Sequence, residues 1–133
     1  MRYLTRAFAL GALGRSKAVE QFLGPISVAG SPGVRWVSVS PWQQGYSVSV
    51  HDVQDLDDER YRDLLTFPPL DPEDDDETGF GCSLGHVASA AEALELELAE
   101  HATGASPHRW VNQGVAGDEY ADFILARRSQ HQP

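Results

Sequence analysis

The sequence predicts an α+β fold: a small, mostly antiparallel sheet, made of a β-hairpin plus one or two further short strands, covered on one face by helices. Three observations predict it. Residues 34–53 alternate apolar and polar on both sides of the turn-rich stretch Pro41 to Gly45. Residues 89–102 and 118–128 carry apolar side chains at helical spacing between capping signals. Strands and helices do not alternate regularly enough for a doubly wound sheet.

The bulk properties agree with one folded unit. A chain of 133 residues, 41% hydrophobic and 23% charged, suits a single domain over 1–133 with one core. One cysteine, Cys82, excludes an intramolecular disulfide and fits a reducing, cytoplasmic setting.

The opening is expected to be helical in two pieces. Tyr3, Ala7 and Leu10, then Ala18, Val19, Phe22 and Leu23, recur at spacings of three and four. A break is expected near Gly14, with Ser16 as N-cap of a second helix that stops at Gly24-Pro25. Arg2 and Arg6 ahead of Ala7–Gly14 have the order of a signal peptide. Arg15 and Lys17 stand where a small-residue cleavage site belongs, and the run is far below the ~20 residues that span a bilayer, so a buried helix is the expectation. Ser27 to Gly33 reads as a loop.

In the hairpin, Val34, Trp36 and Ser38 share one face of the first strand, and Arg35, Val37 and Val39 the other. In the second strand Tyr46, Val48 and Val50 make a dry face, while Ser47, Ser49 and His51 make a wet one. The dry face needs a helical layer above it.

Asp57 can cap a short helix carrying Tyr61, Leu64 and Leu65 and ended by Pro68-Pro69; a strand through Leu64 to Phe67 is the alternative. Asp71 to Thr78 has no apolar period and reads as an exposed acidic loop at about 71–78, and Phe80 to Val87 reads as a short glycine-rich strand. Ser89 and Glu92 form a capping box for a helix with Val87, Ala91, Leu94, Leu98 and Ala102 on its apolar face, ending at Gly104. Ser106-Pro107 either opens a turn carrying Trp110 or gives way to an edge strand at Arg109 to Val111. The last helix has Asp118, Glu119 and Asp122 at its start, Tyr120, Phe123 and Ile124 on its apolar face, and Arg127-Arg128 at its end, matching the helix dipole.

Patterns that suggest chemistry lack the context chemistry needs. Gly81-Cys82-Ser83-Leu84-Gly85 has the form of a nucleophile elbow, but it follows an acidic loop rather than a buried central strand. Cys82 and His86 are four apart, yet His51, His101, His108 and His131 are scattered without the pair spacing of a zinc site. Neither Asp55–Glu59 nor the run from Asp71 has the spacing or central glycine of an EF-hand loop. No metal or cofactor is expected.

Charge is the informative feature. Twelve of the twenty acidic residues lie between Asp52 and Glu77, opposed there only by Arg60 and Arg62, so this stretch holds the whole net charge of −10. Direct nucleic-acid binding is disfavoured without a basic patch, and no basic amphipathic helix suggests a membrane surface. The leading expectation is a non-enzymatic module that binds a basic protein, on the pattern of an immunity-type inhibitor of a nucleic-acid-acting toxin. Its docking residues would be Asp55, Asp57, Asp58, Glu59, Asp71, Glu73, Asp74, Asp75, Asp76 and Glu77, with Trp42 as an aromatic anchor. Two alternatives stand beside it: a small hydrolase or thiol enzyme using Ser83 or Cys82, and an accessory domain whose acidic loop only solubilises it.

Overall fold

The computed structural model describes residues 2–28, 30–42, 45–57, 64, 67, 82–87 and 92–130. In chain order the elements are α1 (Arg6–Gly14), β1 (Val19–Val28), β2 (Ser31–Trp42), β3 (Gly45–Gln54), β4 (Cys82–Val87), α2 (Glu92–Thr103), β5 (Val111–Asn112) and α3 (Ala116–Gln130). The strands form one antiparallel sheet in the order β4-β3-β2-β1-β5, in which β5 is a two-residue addition to four longer strands.

The α+β class, the 34–53 hairpin, the short strand ending at Val87 and the last two helices follow the sequence expectation. The second helical piece does not. Residues 19–28 are β1, paired with β2 from Val19↔Val39 to Val28↔Ser31, so the expected loop at 27–33 is mostly strand. Ser16 is the reason for the difference. It ends α1 instead of starting a helix: its φ is +62°, its N–H donates to the Leu13 carbonyl at 3.0 Å, and the Lys17 N–H donates to the Ala12 carbonyl at 2.9 Å. That pair of bonds is the Schellman closure of a helix C-terminus, with a serine where glycine is usual. At the other end Thr5 caps α1, its hydroxyl accepting from Phe8 N–H at 3.2 Å.

The sheet is packed on both faces. Val37 and Val39 pair with Val50 and Val48, and this dry face meets Ala9, Ala12 and Leu13 of α1, Leu96 and Ala99 of α2, and Trp110. The expected layer is therefore present as α1 and α2. One residue along β2, on the opposite face, Val34 and Trp36 join Val53, Tyr120 and Ile124, so α3 supplies a second layer. His51, expected on a wet face, is buried there and stacks on Trp36 with ring centroids 4.0 Å apart. The buried face of α2 runs through Leu96 and Ala99, while Ala102 is exposed. The capping-box serine lies outside the described residues, as do the alternatives for residues 58–66 apart from the buried Leu64.

Two buried polar side chains of β1 hold the loops that follow α2. Gln21 donates to the Ser106 carbonyl at 2.9 Å and accepts from the Ser106 N–H at 2.8 Å. This side-chain amide stands in for a backbone partner just past the end of the β1–β5 ladder. Glu20 accepts from the N–H groups of Gly114 at 2.7 Å and Ala116 at 3.0 Å, placing a carboxylate at the amino end of α3. Trp110, offered by the sequence as a turn or edge residue, precedes β5 and is buried. Its indole N–H donates to Glu100 at 2.9 Å, and Arg6 holds the other oxygen of that carboxylate at 3.0 Å.

Replacing Glu20 with alanine strips two N–H groups at a buried helix end of their acceptor. The Glu20→Ala variant should lose about 1–3 kcal/mol of stability in urea denaturation, whereas Glu97→Ala on the exposed side of α2 should stay within about 0.5 kcal/mol of the parent.

Candidate functional site

The acidic segment begins where β3 ends, and its first three acids are engaged inside the fold. Asp52 is held by Arg35 across the hairpin through two bonds, from Nε at 2.7 Å and from Nη2 at 2.9 Å. Asp55 accepts from Arg127 Nη1 at 2.6 Å, from the Tyr120 hydroxyl at 2.8 Å and from the Asp57 N–H at 3.0 Å. Arg127 also reaches Asp57 at 2.7 Å, and Arg128 donates to the Asp57 carbonyl at 2.6 Å. The cationic end of α3 therefore clamps the chain as it leaves the sheet, and the helix dipole favours the cations standing there. Asp57, with φ +52°, makes the turn that this clamp secures.

The two acids differ in what they can offer a partner. The Asp55 side chain is only 6% exposed and its oxygens are taken, so it acts as an anchor within the protein. Asp57 keeps 63% of its side chain in solvent. Burial pushes the Asp55 carboxyl upward, but the hydrogen bonds from Arg127, Tyr120 and the Asp57 N–H, with the charge of Arg127, outweigh it and leave the pKa below the ordinary aspartate value. Asp58, Glu59, Asp71, Glu73, Asp74, Asp75, Asp76 and Glu77 lie outside the described residues. Trp42 ends β2, its backbone paired with Gly45; its side chain also falls outside them.

Past the clamp, Leu64 and Phe67 return to the core beneath α3, Phe67 meeting the Tyr120 ring edge-on at 5.2 Å. The chain then rejoins the sheet as β4. The acid-rich stretch is thus tied to the folded body at Asp57, at Leu64 and Phe67, and at Cys82.

The residues of the second reading are placed differently from what an elbow requires. Cys82 and Ser83 belong to β4, which among the described residues pairs with one neighbour only, and their ladder partners are Val50 and Ser49. A nucleophile elbow needs a sharp strand-to-helix turn. Gly85 instead stands beside a bulge, because Val48 pairs with Gly85 and Ser49 with Ser83, leaving Leu84 unpaired. His51 comes together with Ser38, whose hydroxyl is 3.3 Å from His51 Nε2. That pairing escaped sequence reading. Taking Gln43-Gln44 as the whole connection and counting back along both strands would have found it, since Ser38 then faces Ser49, next but one to His51.

Among the described residues no three His, Cys, Asp or Glu side chains gather to hold a metal. No helix among them is long and apolar enough to cross a membrane. No protein-family model matches the chain, and neither do curated proteins or solved structures.

The clamp predicts an acid-sensitive contribution to stability. Because the Asp55 carboxyl titrates lower in the folded protein than in the unfolded chain, its stabilisation is complete above the unfolded value near 4 and is lost as pH falls through the folded value. Asp55→Asn should cost about 1–3 kcal/mol at pH 7, measured by urea denaturation. The gap between parent and variant should stay constant near neutrality and narrow below about pH 4.

Proposed function

We propose that the protein is a non-enzymatic binding module whose acidic segment docks a basic protein, in the manner of an immunity-type inhibitor. The observation that carries this reading is the segregation of charge: residues 52–77 hold a net −10 while the remaining residues balance. The way the segment is anchored supports it. Asp52, Asp55 and Asp57 are drawn into ion pairs with Arg35 and Arg127, and nine further acids follow in the sequence before Cys82. Three of the fold's own cations lie beside its other acids, Arg2 against Asp122, Arg109 near Glu119 and Arg6 on Glu100. A basic partner offers the counter-charge the chain lacks.

Docking of this kind gains its speed from long-range attraction that salt screens within about 8 Å at physiological ionic strength. The test measures association of the protein with a basic polypeptide crosslinked to it in its native cell, over salt from about 50 to about 500 mM. The parent should associate several-fold more slowly at the high end, and D74N/D75N/D76N should be slower at low salt with a flatter dependence. Identical salt slopes for the two proteins would reduce the acidic segment to a solubilising loop. Cys82→Ala and Ser83→Ala should leave the association rate unchanged, and loss of function in either would favour the enzyme reading instead.

A further inference from the structure

Residues 2–3, the middle of β1, the loop before β5 and the first turns of α3 line an open cleft of about 450 Å³. This is within the range of small-molecule sites. A bulge in β1 shapes it: the register shifts between Phe22 and Gly24, Leu23 is left unpaired, and Gly24 takes φ +108°. Aromatic rings wall the cleft, with Phe22 and Phe123 centred 5.6 Å apart. Four charged side chains also line it, Arg2, Arg109, Glu119 and Asp122, and their charges cancel. A site of that balance favours neither a plain cation nor a plain anion.

Glu119 is poorly served. Its side chain is 9% exposed, yet Oε1 accepts no hydrogen bond and lies 3.5 Å from Arg2 Nη1. Its Oε2 has Arg109 Nη2 at 3.4 Å, against the ~2.7–2.9 Å of a good charge-assisted bond. Arg2 comes no closer because Asp122 holds the same nitrogen at 2.5 Å. A buried carboxylate without a close donor is costly, and an incoming N–H would relieve it. Arg109 has the opposite need. Its side chain is 54% exposed, and its hydrogen bonds run through Nη2 alone, to the Tyr3 hydroxyl and Glu119, so Nε and Nη1 are open donors. An underused acceptor and an underused donor group therefore stand side by side in a largely polar cleft, next to the Phe22 and Phe123 rings.

We propose that this cleft binds a free α-amino acid with an apolar side chain, its ammonium on Glu119, its carboxylate on Arg109 and its side chain against Phe22 and Phe123. The ammonium and carboxylate of such a ligand sit on one carbon, which matches the adjacency of the two protein groups. Arg2 covers Glu119 Oε1, and it swings outward on Asp122 as the ligand enters; a third of its side chain is already in solvent.

Isothermal titration of the whole protein with L-phenylalanine and L-leucine tests it. Saturable binding is expected for at least one, weakened roughly tenfold or more in N-acetyl-L-phenylalanine, which lacks the ammonium, and in L-phenylalaninamide, which lacks the carboxylate. Glu119→Gln and the surface variant Arg109→Gln should each weaken binding by a similar factor, while Arg2→Ala should tighten it by removing the cover and a competing cation. Should Glu119→Gln fail to fold, Arg109→Gln and the blocked ligands still decide. No saturable binding of either amino acid up to about 10 mM, equal binding of the blocked forms, or weaker binding by Arg2→Ala would each overturn the proposal.

Discussion

Burial of the Glu20 carboxylate beneath the amino end of α3 sets the position of everything on that side of the sheet. A lone charge placed inside a protein is costly, and here the cost is offset by backbone N–H groups that the start of a helix leaves without partners. Because the acceptor is on β1, the outermost of the four longer strands, the helix starts over β1 and packs on the sheet face that carries Trp36. Tyr120 and Ile124 are thereby delivered to Val34 and Val53, and Arg127 to the end of β3. Glu20 and the clamp on Asp55 and Asp57 thus hold the two ends of the same helix.

The neighbouring side chain acts on the other face. Gln21 pairs with the Ser106 backbone in both directions and brings the loop after α2 against the sheet, close to Trp110. Trp110 then joins α1 and α2 through Glu100 and Arg6. Two consecutive polar residues on one strand, pointing to opposite faces, thereby organise both helical layers. A strand whose buried positions include Glu and Gln is stable only with every lone pair and proton placed, which makes β1 specific as well as stabilising.

Charge is divided between two tasks. Ion pairs in the interior of the charge map, Arg35–Asp52 and Arg127–Asp55, are short and partly shielded, and they hold the chain's path out of the sheet. The nine acids that follow Asp57 carry most of the charge of this stretch. Solvated acids contribute little to stability while creating a field that reaches about a Debye length, a property useful for attracting a basic partner.

Local pattern determined much of this protein by itself. The hairpin was legible because alternation over both strands is strong, and α3 because its acids, apolar stripe and arginines agree with one another. The charge segregation was legible by counting. Tertiary structure alone decided the rest. Residues 16–23 read as helix since Val19, Phe22 and Leu23 fit a helical spacing and a serine preceded them; as β1 they place Glu20 and Gln21 in the interior, where only partners distant in sequence can satisfy them. His51 read as solvent-facing because nothing nearby in the chain announces that α3 will cover its face. Asp55 read as a docking acid and Glu119 as a helix-start acid, and both are engaged inside the fold. Which carboxylate is clamped, which is left short of donors and which is free depends on arginines up to 117 residues away, and no local propensity encodes such a distance.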